Sequence, residues 1–141
     1  MERTDPFPFN KWILIGLLIS FFSVGTDADS ADAFKDIQEI EMKPVPADTK
    51  PNYWLSTMLL KEGSKVTPLN VMEALDKENI ESRPIWKPMH IQPVFEKFDF
   101  IKVEEKPISE DIFARGVCLP SDTKMTKEEQ QEVIRIIKEL F

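Results

Sequence analysis

The chain has 141 residues, 42% of them hydrophobic and 30% charged, with a formal net charge of −7. That length holds one domain with a modest core, and the acidic balance leaves no basic stripe of the kind a nucleic-acid backbone binder needs. Cys118 is the only cysteine, so an internal disulfide is excluded and there is no thiolate set for a metal and no sign of an oxidising compartment.

Trp12 to Val24, WILIGLLISFFSV, is an uncharged run of 13 residues, short of the roughly 20 that span a bilayer as a helix. Its length and position suit a signal-peptide core, with Ala31, Asp32 and Ala33 as a small-residue cleavage site. The flank does not suit it. Glu2, Arg3, Asp5 and Lys11 sum to zero, and Asp27, Asp29 and Asp32 make the far side acidic. Three readings stay open: a signal peptide or short membrane anchor, a buried strand or helix, and a truncated or rearranged start. Residues 1–33 therefore stand apart as an atypical N-terminal segment, and 34–141 form the domain proper.

From Phe34 onward 20 acidic residues face 16 basic ones, and strand and helix signals alternate. Ile40 to Val45 is a short extended piece stopped by Pro44 and Pro46. Tyr53 to Leu60, YWLSTMLL, reads as a buried strand, with Trp54, Ser56, Met58 and Leu60 on one face and Tyr53, Leu55, Thr57 and Leu59 on the other. Thr67-Pro68 opens a helix that runs to about Ile80. Thr supplies the capping hydroxyl, and Pro at the first position loses no hydrogen bond. Leu69, Met72 and Leu75 are expected on its core face.

Ser82 to Trp86 should be extended, because Arg83 precedes a proline. Pro93 to Phe98 is expected as one helical turn with Val94, Phe95 and Phe98 inward. Ser109 is expected to cap a short helix through Arg115, stopped by Gly116, with Val117 to Leu119 a short strand. Thr126 and Glu129 form a capping box for the last helix, whose apolar face carries Val133, Ile134, Ile137, Leu140 and Phe141. The order strand, strand, helix, strand, short helix, strand, helix predicts an α+β domain with a short, largely antiparallel sheet packed by two main helices.

No stand-alone catalytic motif is present: there is no GxSxG, P-loop, GxGxxG or HExxH. Cys118 lies in an apolar strand signal and reads as a buried thiol rather than a nucleophile. The unusual stretch is Glu81 to Phe95, ESRPIWKPMHIQPVF, which packs three Pro around the only His, one Trp, one Arg and one Lys. A proline-stiffened segment of this kind presents polar groups. Arg83 and Lys87 suit an anionic diphosphate, one as a planar fork and one as a point charge. Trp86 either stacks on a base or sugar or anchors an interface or core. His90 is either a site residue or a hydrogen-bonded structural one. No catalytic residue and no metal ligand is assigned.

Four runs now stand in order: Asn52 to Leu55, Arg83 to Pro93 (RPIWKPMHIQP), Ala114 to Ser121 (ARGVCLPS) and Thr126 to Ile134. Together they resemble the C-terminal small domain of the DegT/StrS-type sugar aminotransferases, pyridoxal-phosphate enzymes of fold type I that aminate nucleotide-linked keto-sugars. The resemblance covers about Phe34 to Phe141 and implies a role in glycan or glycoprotein sugar biosynthesis. It implies Arg83, Trp86, Lys87, His90 and Gln92 as contacts to a nucleotide-sugar at a dimer interface.

The family's Schiff-base lysine, pyridine-nitrogen aspartate and phosphate loop lie in a large N-terminal domain with no counterpart in residues 1–33. The resemblance therefore implies a fragment that is inactive alone and does not bind pyridoxal phosphate as the full enzyme does. Its expected partners are the missing large domain or a second copy, and its expected location is cytoplasmic. The alternative, motivated by Trp12 to Val24, is a membrane-tethered or exported binding module without catalysis.

Overall fold

A computed structural model of the protein describes residues 32–50, 54–101, 105–122 and 124–141. The apolar run Trp12 to Val24, with its three readings, and Asn52 and Tyr53 of the first motif lie outside the described residues.

Four strands form one antiparallel sheet: β1 (Ile40–Met42), β2 (Ser56–Leu60), β3 (Arg83–Pro84) and β4 (Gly116–Leu119), in the order β1-β2-β4-β3. β2 and β4 are central, with Met58 opposite Val117 and Ser56 opposite Leu119. β1 joins β2 with Ile40 opposite Leu60, and β3 joins β4 with Arg83 opposite Cys118. Opposed residues in an antiparallel pair share a face. Ile40, Met58, Leu60, Val117 and Leu119 therefore gather on one side, and all are buried. This is the expected strand alternation, with Ser56, Met58 and Leu60 buried and Thr57 and Leu59 half-buried.

Two helices cover that side, α1 (Pro68–Lys77) and α3 (Lys127–Lys138). They contribute Val71, Leu75, Val133, Ile136 and Ile137 to one cluster with Phe34 and the sheet residues. A fully buried side chain such as Leu75 or Ile137 contributes about 1.5–3 kcal/mol relative to exposure. Both helices start where the sequence places them. Thr126 accepts from the Glu129 N–H, and Glu129 accepts from the Thr126 N–H. Thr67 accepts from the Asn70 N–H, and Asn70 accepts from the Thr67 N–H and hydroxyl. Asn70 thus closes a capping box in the position where Glu or Gln is usual.

Three local expectations are corrected. Leu69 is 51% exposed, and the core face of α1 is carried by Val71 and Leu75, four residues apart. A three-residue spacing drifts round the helix, whereas i, i+4 stays on one stripe. Ser109 does not cap the short helix α2 (Ile108–Arg115). Its N-cap is Pro107, with no side-chain hydrogen bond, and the Glu110 and Asp111 N–H groups both donate to the Pro107 carbonyl. The turn Pro93–Phe95 forms, but Val94 and Phe98 point outward, at 68% and 70% exposure, and Phe95 is half-buried.

α2 lies against the other side of the sheet and runs directly into β4 at Gly116. A Cβ on Gly116 would run into Ile85 and sit 2.6 Å from the Ile112 carbonyl oxygen, so the close approach requires glycine. Among the described residues, no helix is long and apolar enough to cross a membrane.

Candidate functional site

The site is built on the segment that leaves β3 at Pro84. Pro88 and Pro93 each open a single turn, Met89–Ile91 and Pro93–Phe95. The Ile91 and Gln92 N–H groups donate to the Pro88 and Met89 carbonyls, and the Phe95 N–H donates to the Gln92 carbonyl. The Gln92 side-chain amide donates to the Lys87 carbonyl at 3.0 Å and approaches the Met89 sulfur. Prolines fix φ and the short turns close locally, so the chain holds a bent shape without a strand ladder.

The five residues singled out in the sequence fall into two groups. Trp86 and Lys87 are presented outward. Trp86 is 64% exposed and lies beside Trp54, itself 59% exposed, with ring centres 6.4 Å apart and planes inclined at 45°. Trp54 is held from behind, because the Ser121 hydroxyl donates to its carbonyl at 2.9 Å. The two tryptophans form one aromatic surface, and the exposed Lys87 follows Trp86 in the chain. Arg83 is also exposed, at the sheet edge, and forms an ion pair with Glu81.

His90 faces the body of the protein, and Gln92 is half-buried against its own segment. His90 Nε2 meets Glu110 Oε1 at 2.8 Å, and the imidazole stacks on Phe100 with ring centres 3.7 Å apart and planes within 5°. Its side chain is only 14% exposed. Gln92 braces the backbone of Lys87. Glu110, Phe100 and Trp54 were not among the five site residues. Glu110 lies 20 positions from His90, so no short spacing in the sequence marks the pair.

The ARGVCLPS run supports the segment rather than lining it. Arg115 pairs with Asp111 one helical turn back and donates from Nη1 to the Leu60 carbonyl at 2.6 Å, which ties α2 to β2. Lys106 Nζ reaches Asp111 Oδ1 at 2.7 Å. Hydrogen bonds from Arg115 and then Lys106 hold the Asp111 carboxyl well below the usual carboxylate range, and the Asp111 hydrogen bond raises Arg115 in turn. Cys118 is buried opposite Thr57, and burial pushes its thiol up, away from the reactive thiolate.

The arrangement offers an aromatic surface, one exposed ammonium and one paired guanidinium, which suits a ligand with a flat ring and an anionic group. It does not suit pyridoxal phosphate. A Schiff-base lysine needs a desolvated cavity with a carboxylate partner, and every described lysine side chain is exposed. Nor is there, among the described residues, a cluster of three groups able to hold a metal.

Residues 30–138 match the DegT/DnrJ/EryC1/StrS aminotransferase family. The chain is 39% identical over 111 residues to EpsN of Bacillus subtilis, assigned as a pyridoxal phosphate-dependent aminotransferase, which covers 78% of this chain and 28% of that protein. It is 31% identical over 93 residues to the GDP-perosamine synthase of Vibrio cholerae, covering 64% of this chain and 24% of that one. A DegT DnrJ EryC1 StrS aminotransferase from Brucella abortus has the same fold over 82% of this chain and 29% of its own, with a TM-score of 0.69 at 19% identity. The chain thus spans less than a third of the length of the proteins it matches.

Proposed function

The chain belongs to the DegT/DnrJ/EryC1/StrS aminotransferase family, and from that premise we propose that it supplies the nucleotide-sugar-binding face of a sugar aminotransferase. In this reading Trp86 stacks on a flat ring of the ligand, Lys87 and Arg83 meet its diphosphate, and His90 and Gln92 hold the segment that carries them. The observation that carries the reading is the exposed Trp54–Trp86 pair, with the exposed Lys87 following Trp86 in the chain. The substrate class is supported by GDP-perosamine synthase, a relative named for a nucleotide-linked sugar.

Amino transfer itself lies outside what the described residues can perform, because none of their lysines is desolvated. On this reading the 141-residue chain is inactive alone and works with a catalytic half supplied from elsewhere. Mixing it with pyridoxal phosphate should give no absorption band that borohydride removes, and a clear band of that kind would show that the chain holds its own reactive lysine.

Trp54, Trp86, Met89, Val94 and Phe98 leave much apolar surface open, and such patches recruit a partner or aggregate. The chain alone should self-associate and bind a nucleotide-sugar weakly. Sedimentation at several concentrations, with and without UDP-N-acetylglucosamine as probe, tests both expectations. A monodisperse monomer that binds the probe tightly would make the domain a complete binding module and end the reading of a dependent half. The reading also places the chain in the cytoplasm, so fractionation should recover it soluble with Met1 or Glu2 at its start. A mature start near Ala33 or Phe34 would favour export instead.

A further inference from the structure

Residues 86–98 carry two of the proposed ligand contacts, Trp86 and Lys87, yet after Pro84 no strand ladder fixes them. Their backbone hydrogen bonds close local turns, from Ile91 to Pro88, Gln92 to Met89 and Phe95 to Gln92. Such bonds set the shape of the segment and not its place on the domain. Among the described residues, the hydrogen bond that ties the segment to the rest of the domain is His90 Nε2 to Glu110 Oε1, at 2.8 Å.

Glu110 is well placed for that task. It sits in the first turn of α2, where its N–H donates to the Pro107 carbonyl at 3.0 Å. Its neighbour Asp111 is gripped by Lys106 and Arg115, and Arg115 continues to the Leu60 carbonyl on β2. The Arg115–Asp111 pair thus anchors α2 to the central sheet, and Glu110, the residue before Asp111 on the same helix, carries that anchorage to the His90 ring. On the other side the ring lies flat on Phe100. With His90 14% and Glu110 38% exposed, water competes for this bond less than for a surface pair.

We propose that Glu110 is a positioning residue: by holding the His90 imidazole it fixes the segment that presents Trp86 and Lys87, and it acts on ligand binding only through that segment. The inference rests on the proposed role of Trp86 and Lys87 as ligand contacts. It gives the only histidine of the chain a tethering role, with Nε2 committed to Glu110 and not to the ligand.

Amide hydrogen exchange on the 141-residue chain tests the tether without any ligand. Glu110→Ala should speed exchange at Ile91, Gln92 and Phe95 about tenfold, the size expected from one partly buried hydrogen bond. Rates at Val117 and Ile137 in the core should stay unchanged. Glu110→Gln keeps an oxygen acceptor for His90 and should return the rates towards those of the parent. His90→Phe keeps the stack on Phe100 but loses the bond, so it should match Glu110→Ala, and the double variant should add nothing more. Should Glu110→Ala fail to fold, Glu110→Gln and His90→Phe carry the comparison. Unchanged exchange in both Glu110→Ala and His90→Phe overturns the inference.

The second arm is binding of UDP-N-acetylglucosamine. Glu110→Ala should weaken it by a factor similar to its effect on exchange, with Trp86→Ala and Lys87→Ala as references. Full binding in Glu110→Ala while those two lose it also overturns the inference. Full binding in Trp86→Ala and Lys87→Ala themselves overturns the reading on which it rests, and the exchange rates still report whether Glu110 fixes the segment.

Discussion

The sheet face under α1 and α3 and the segment from Ile85 to Ile101 are held in opposite ways. On the sheet face eleven buried residues pack in one cluster, so each position is fixed by several neighbours at once. In the segment most large side chains point outward, and its place depends on one hydrogen bond, the Trp54–Trp86 ring contact and the fit of Ile85 over Gly116. Dense apolar packing is redundant and non-directional. A tether of a few directional contacts is neither. The first region therefore governs whether the chain folds, and the second what its surface presents.

Substitutions on either side of that division should behave differently. The largest effect is expected from Leu75→Ala, which empties a wholly buried position in the cluster. Loss of contacts and the residual cavity should cost about 2–5 kcal/mol, measured by chemical denaturation. A loss below 1 kcal/mol would mean that the cluster is loosely packed, and the contrast would weaken.

Gly116→Ala comes next and tests the border between the two regions. The added methyl meets Ile85 on the segment side and the Ile112 carbonyl oxygen, 2.6 Å away, on the α2 side. The side chain can yield and the backbone cannot, so an overpacking cost of about 1–3 kcal/mol is expected. A shift in tryptophan fluorescence should accompany it, because Ile85 precedes Trp86. Unchanged stability and fluorescence would show that segment and sheet are not coupled there.

A smaller effect should appear in the acid limb of the stability curve. Asp111 has its carboxyl depressed in the folded state by hydrogen bonds from Arg115 and then Lys106. Unfolded, it titrates near the usual value of about 3.9. The folded state thus binds fewer protons, so this contribution is full above about pH 4 and is lost as the pH falls further. Asp111→Asn should lower stability at neutral pH and flatten its fall below pH 4. The partial exposure of all three groups keeps the effect modest. A parallel acid limb in the variant would show that the network contributes nothing.

The smallest change in stability is expected for Trp86→Ala, within about 0.5 kcal/mol, because the ring is mostly exposed. Its self-association should nevertheless fall, which sedimentation would detect. A large loss of stability would place Trp86 with the core and remove the division drawn here.

Much of the packing was legible along the chain because its signals are local. The capping box at Thr126 and Glu129, the Thr67 cap, the strand alternation at Ser56 to Leu60 and Val133 with Ile137 on the last helix each need only a few residues to be recognised, whereas Asn70 closing a second box, the burial of Ile136 and the exposure of Phe141 emerged only in the fold. The four motif runs were legible in the same way and pointed to the family. Errors arose where a local pattern had two solutions. Leu69, Met72 and Leu75 make a plausible stripe, but Val71 with Leu75 makes the one that α3 and the sheet cover. Val94 and Phe98 are apolar, and only the placement of the Pro93 turn sends them outward.

The elements and their order were readable along the chain because backbone propensity, capping and periodicity act over a few residues, and the family was readable from the four motif runs. The division of labour inside the Pro-rich segment was decided by the tertiary structure. Arg83, Trp86, Lys87, His90 and Gln92 look alike as site candidates on paper. The fold brings Glu110 to His90 across 20 positions and Trp54 to Trp86 across the sheet edge, and it turns the first pair inward and the second outward. The physical reason is that hydrogen bonds and ring contacts depend on distance and angle between elements, and those are set only when the sheet, α2 and the segment have packed together.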